Sequence, residues 1–81
     1  MKYNIPITTK ETIDRYVQSR IPTGGFLYAV LTNDLFEAVG RADRYNRPAL
    51  FDICNYIYNE IPYNCWGSKE AVEKWLGHTE E

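Results

Sequence analysis

Histidine is nearly missing from this sequence: His78 is the only one in 81 residues, and it stands in a polar stretch near the C-terminus. One imidazole in such a place has nothing to orient it as a general base and cannot build a His-based metal cluster. Cys54 and Cys65 are too few and too widely spaced for a zinc site. Carboxylate chemistry from Asp34, Glu37 or Asp43 would need a second positioned group, and none stands out. The expectation is a protein that is not an enzyme and uses no metal and no cofactor.

Basic excess is missing as well. Nine Lys and Arg stand against eleven Asp and Glu, a formal net charge of -2. Proteins that bind duplex nucleic acid normally carry a clear positive surplus, so that partner class is disfavoured. The longest apolar run, Phe26 to Leu31, is six residues, against the ~20 that a membrane-spanning helix needs. No charged segment followed by an apolar one opens the chain as a secretory signal would. A reducing compartment with free thiols is expected, with a Cys54–Cys65 bridge as the alternative.

What is present divides the chain into short helical units. Three Ile-Pro pairs, Ile5-Pro6, Ile21-Pro22 and Ile61-Pro62, punctuate it, because proline disfavours helix at the residue before it. After the first pair, Thr8 and Glu11 have the spacing of a capping box ahead of Ile13, Tyr16 and Val17, which predicts a helix over about residues 9–19. After the second comes Thr23-Gly24-Gly25 and the stripe Leu27, Val30, Leu31, Leu35, Ala38 and Ala42. A third helix is expected from about Asn46-Arg47-Pro48, with Leu50, Phe51, Cys54, Ile57 and Tyr58 on its buried side. Ser68 caps a short last helix carrying Val72, Trp75 and Leu76, and Gly77 closes it. The expected fold is all-α: one domain over residues 1–81, ordered over about residues 5–77 and ending in an acidic tail, built as a small bundle of four to five short helices. A domain this small buries only about 60–65% of its unfolded surface, so homo-oligomerisation is the expected supplement to its core.

Two places break the helical pattern. A single straight helix over residues 24–44 would put Asp34 and Arg41 inside the apolar stripe. Either the helix breaks at Thr32-Asn33-Asp34, where all three residues are good N-caps and Asp34 with Glu37 repeats the capping-box spacing, or Asp34 and Arg41 are held partly buried to face a ligand or partner subunit. The second place is Thr23-Gly24-Gly25. It reads as a plain turn, or as a glycine-bared backbone that lets an anion approach with the Thr23 hydroxyl as an added donor. The lysine and spacing of a P-loop are lacking.

Groups that complement an anion lie nearby in sequence. Arg41 and Arg44 would share a helix face, with Arg47 in the following turn, and guanidinium groups grip phosphate bidentately. Tyr28, Tyr45, Tyr63 and Trp66 offer stacking faces, and Asp34 with Arg41 would be specificity groups. The candidate ligand-binding set is therefore Thr23, Gly24, Gly25, Tyr28, Asn33, Asp34, Arg41, Arg44, Arg47 and Trp66; for each, surface solvation or core filling is the plainer alternative.

The run TGGFLYAVLTNDLFEAVGRAD, continued by NRPALFDICNYIYNEIPYNCWGS and a final VEKWL, resembles a family of small proteins encoded by tailed bacteriophages and prophages. The likeness covers about residues 5–76. It implies a viral origin and the cytoplasm of an infected bacterium, without implying a mechanism. In that setting two binding functions fit: sequestration of a nucleotide-derived immune signal, or inhibition of a host defence protein in the manner of an anti-CRISPR, with Asp34 and Glu37 meeting a basic partner.

Overall fold

The computed structural model describes residues 3–78, so the expected acidic tail at 79–81 lies outside the described residues. It contains five α-helices: α1 (Ile7–Ser19), α2 (Gly25–Leu31), α3 (Leu35–Arg41), α4 (Leu50–Glu60) and α5 (Lys69–Leu76), with one 3-10 turn at Tyr63–Cys65 between the last two. No strand occurs among the described residues. The all-α expectation and the helix number both hold.

The core gathers one face from each of α1, α2, α4 and α5. Ile13 and Tyr16 of α1, Leu31 of α2, Ile53 of α4, Val72 of α5 and Cys65 of the 3-10 turn are all essentially inaccessible. Tyr16 is the largest of them, and its hydroxyl is satisfied inside the core by donation to the Cys65 carbonyl at 2.7 Å. That burial raises the Tyr16 pKa well above its usual value, so the hydroxyl stays a neutral donor. Trp75 of α5 donates its indole N–H to the Tyr16 carbonyl at 3.0 Å, and the Arg20 guanidinium lies 4.2 Å over the Trp75 ring. The two Trp rings thus use their polar edges while packing partly buried against the core, Trp66 by donating to the Ile61 carbonyl at 3.1 Å. Neither cysteine is bridged: Cys65 is buried and Cys54 exposed.

Several local expectations are corrected. Helix α1 starts at Ile7 with Pro6 as its boundary residue, and the Pro6 carbonyl accepts from the Lys10 N–H at 3.0 Å. Thr8 is then already inside the helix, where its side chain cannot cap, and the Thr8–Glu11 capping box does not form. The third predicted helix begins later than Asn46, at Leu50. The Asp43 carboxylate causes the delay: its Oδ1 accepts from the backbone N–H groups of Tyr45 and Asn46 at 3.0 and 2.9 Å, which holds residues 43–46 in a side-chain-closed turn. The face of α4 also differs. Ile53, Tyr56 and Ile57 are buried, whereas Phe51, Cys54 and Tyr58, expected inside, are exposed. By contrast Ser68 caps α5 as expected, accepting from the Ala71 N–H at 3.1 Å, and Gly77 ends it with φ +82°.

The break in residues 24–44 is real. Helix α2 ends at Leu31 and Asn33 takes a left-handed conformation, φ +67°, which Asn tolerates better than other residues with a β-carbon. Three bonds close the turn: Thr32 Oγ1 to the Tyr28 carbonyl at 2.8 Å, Asn33 N–H to Val30 at 3.1 Å and Asp34 N–H to Ala29 at 2.9 Å. Asp34 precedes α3, but its side chain accepts no capping bond, so the Asp34–Glu37 box is absent. The break reorients α3, burying Ala38 while leaving Leu35 exposed and Asp34 and Arg41 on the outside. Of the two alternatives the break holds, and the other, partial burial of those two charges, does not occur within the chain.

Candidate functional site

A groove of about 730 Å³ opens beside the α2–α3 break. Its walls are Pro22, Thr23, Gly24, Gly25, Tyr28, Ala29, Thr32, Asn33, Asp34, Glu37, Arg41 and Lys69. Seven of the ten residues singled out in the sequence therefore converge here: Thr23, Gly24, Gly25, Tyr28, Asn33, Asp34 and Arg41.

The two glycines do different things. Gly24 has φ +95° and ψ 173°, backbone space that is essentially restricted to glycine, and a β-carbon there would touch nothing within 4 Å. Its role is conformational: it turns the chain into α2. Gly25 has ordinary helical backbone, but a β-carbon on it would lie 2.8 Å from Nη1 of Arg41 and 3.5 Å from its Cδ. The missing side chain is what admits the arginine. Thr23 donates its hydroxyl to the Gly24 carbonyl at 3.2 Å.

Among the described residues, Arg41 is held from one side only. Its Nε donates to Glu37 Oε2 at 2.6 Å, one helical turn back along α3, in an exposed pair whose contribution to stability is small. That bond fixes the plane of the guanidinium while leaving its terminal nitrogens, one of them over Gly25, for another acceptor. Lys69 arrives from α5 because the Gly67 N–H donates to the Leu31 carbonyl at 2.7 Å, which ties the loop before α5 to the end of α2. Nothing in the sequence marks Lys69 as a groove residue, since only tertiary packing brings it there.

Tyr28 forms part of the wall and is fastened from behind. Its hydroxyl donates to Glu73 of α5, whose other oxygen lies 2.8 Å from His78 Nδ1. The hydrogen bond to the Glu73 carboxylate raises the Tyr28 pKa, and the hydrogen bonds from Tyr28 and His78 lower that of Glu73. At neutral pH the pair is phenol and carboxylate, and the ring of Tyr28 has one preferred setting.

Three candidates fall elsewhere. Helix α3 ends at Arg41 because Ala42 is extended, with φ -67° and ψ 130°, so Arg41 and Arg44 do not share a helix face. Arg44 instead donates to the Tyr45 hydroxyl at 2.8 Å and lies 5.0 Å over that ring, while Arg47 donates to the Ala42 carbonyl at 3.3 Å. Trp66 lines a separate hollow with Phe51, Cys54 and Tyr58, its ring 5.9 Å from that of Tyr58.

The groove's charged groups are two cations, Arg41 and Lys69, and two carboxylates, Asp34 and Glu37. The Asp34 carboxylate makes no hydrogen bond or ion pair with the described residues. Such a set suits a ligand with both an anionic end and donor groups, rather than a bare polyanion. No family model matches this chain, and no curated protein and no solved structure matches it either.

Proposed function

We propose that this chain is a phage-encoded, non-enzymatic binding protein that counters bacterial immunity in the cytoplasm of its host by sequestering a nucleotide-derived signal, and that it works as a homo-oligomer. The observation that carries the reading is the placement of the Arg41 guanidinium over the side-chain-free start of α2, in a groove whose volume falls within the usual range for small-ligand sites. Arg41 and Lys69 take the phosphates, the former through the free part of its fork. Tyr28, held by Glu73, offers a ring to stack a base. Asp34 accepts from base amino or imino donors, which explains why a phosphate site also carries an unpaired carboxylate. The membership of a phage family rests on the sequence resemblance, and the ligand class rests on this chemistry.

Native mass spectrometry of the purified protein, alone and with a panel of cyclic oligonucleotides and ADP-ribose derivatives, tests the reading. A stoichiometric adduct is expected for at least one of them, lost on Arg41→Ala in a protein that remains folded. Absence of any adduct across the panel overturns it.

A further inference from the structure

Helices α3 and α4 present a large apolar face that the chain itself does not cover. Phe36 is 86% exposed, Phe51 77% and Tyr58 72%, with Leu35 and Val39 about half exposed beside them. On α4, Phe51, Cys54 and Tyr58 fall on one stripe at helical spacing. Two hollows border this face. One, of about 290 Å³, is lined by Val30, Phe51, Cys54, Tyr58 and Trp66. The other is small, lies between Leu35 and Ala38 of α3 and Leu50 and Cys54 of α4 with Asp34 also lining it, and shares Val30, Asn33 and Cys54 with the first. The two hollows are therefore continuous, and Phe36, which lines neither of them, follows Leu35 on α3.

We propose that this face is covered by a second copy of the chain, packed about a two-fold axis with Phe36 of each copy seated in the α3–α4 groove of the other. The inference rests on the self-association proposed above and names its surface. Three aromatic side chains of this size with half-exposed Leu35 and Val39 amount to roughly 600 Å² per copy, taking each aromatic at the lower end of its usual area, or about 1,200 Å² for a pair, the lower edge of specific stable interfaces. A patch of this size stands at the top of the range that monomeric proteins ordinarily expose, about 300–600 Å². A two-fold contact requires a surface that fits itself, and this one carries both a projecting ring and a hollow with room for it. Leu35, Phe36, Val39, Leu50, Phe51, Cys54 and Tyr58 carry no charge, and the charged residue at the groove is Asp34, which lines its smaller hollow. Cys54 lies at the centre of the groove, which gives the contact a chemical reporter.

Sedimentation equilibrium of the full chain over a wide concentration range tests this, with Phe36→Glu and Phe51→Glu as disrupting variants and Ile7→Glu, exposed but outside the face, as control. Far-UV circular dichroism checks that each variant stays helical. The wild type and Ile7→Glu should associate, and each Phe variant should raise the dissociation constant by about 30-fold or more, as central aromatic anchors do. Cys54 in the wild type, which needs no substitution, should react with a thiol reagent quickly when dilute and slowly when associated. A wild type that is monomeric throughout, with Cys54 equally reactive at all concentrations, overturns both self-association and this surface, and leaves the face to a different protein. An oligomer unchanged by either Phe variant, or equally broken by Ile7→Glu, or with Cys54 reactive in the associated state, overturns the surface and leaves self-association standing. None of these outcomes depends on the nucleotide ligand.

Discussion

The terminal nitrogen of Arg41 occupies the space above Gly25 that a β-carbon would need, at 2.8 Å from where that carbon would be. The apparent glycine pair at the mouth of α2 is thus two separate requirements. Gly24 is there for its backbone and Gly25 for its neighbour. Glycine at position 25 costs helix stability relative to alanine, and what the chain gains in return is the position of a cation at the edge of a groove.

Substitution separates the two roles. Gly25→Ala should leave the melting temperature little changed or slightly raised, because the atom it meets is the far end of a flexible side chain and alanine favours helix. Its ligand adduct should nonetheless weaken as the guanidinium is pushed aside. Gly24→Ala should destabilise by about 1–3 kcal/mol from backbone strain, whatever its effect on binding. Thermal melts paired with titration calorimetry read both. Gly25→Ala with unaltered affinity would return that glycine to an ordinary turn.

Asn33 makes a comparable case at the break. With φ +67° and an exposed side chain, it should accept Gly with a change within about 0.5 kcal/mol, whereas a β-branched Val should cost about 1–2 kcal/mol. Chemical denaturation of both variants decides it. Equal stability of Asn33→Val and wild type would mean that the turn can form by another route.

The existence of that break was legible in the sequence, its device was not. Thr32, Asn33 and Asp34 in succession, together with two charges on an apolar stripe, announced a discontinuity. Whether it would be closed by an Asp34 cap or a left-handed Asn33 depends on backbone geometry that capping statistics do not fix. Helix α4 shows a different limit. Leu50, Phe51, Ile53, Cys54, Tyr56, Ile57 and Tyr58 are apolar all round, so spacing alone could not select its inner face, and the residues chosen included three that point outward. Seven of the groove residues between 23 and 41 were found because α2 and α3 are neighbours in sequence and space, while Ala29, Thr32 and Glu37 of the same stretch were not. Lys69 and Glu73 were not, since α5 reaches the groove only through the packing of Val72 and the Gly67–Leu31 bond.

Acid should loosen the Tyr28 clamp. The pKa of Glu73 is lowered by the Tyr28 hydroxyl and by His78, against a smaller opposing effect of desolvation, with Lys69 also acting on it favourably. A carboxylate whose folded pKa lies below its ordinary 4.5 binds its proton later in the folded chain than in the unfolded one. Its contribution to stability is therefore complete above about pH 4.5 and is lost as pH falls through the folded value. The melting temperature of wild type should exceed that of Glu73→Gln at pH 7, and the gap should close on acidification below that point. A gap that persists unchanged at low pH would show that the carboxylate charge is not what holds Tyr28.

Helix α3 joins the two surfaces, and this yields the last prediction. At about 100° per residue, Asp34, Glu37 and Arg41 occupy the side of α3 toward the ligand groove, while Leu35, Phe36 and Val39 occupy the side that a second copy would cover. The helix is only seven residues long and buries just Ala38 within its own chain, packing chiefly against α2. Covering its apolar side restricts its motion and with it the placement of Arg41 and Asp34. Phe36→Glu, which removes no groove residue, should then weaken nucleotide binding by about 5-fold or more, within the usual range of coupling between sites. Reciprocity demands that the nucleotide tighten self-association by the same factor. Calorimetry on the monomeric variant, and sedimentation of the wild type with and without nucleotide, measure the two halves of this cycle. A Phe36→Glu monomer that binds with wild-type affinity would mean that α3 is already held by its contacts with α2, and that groove and face act independently.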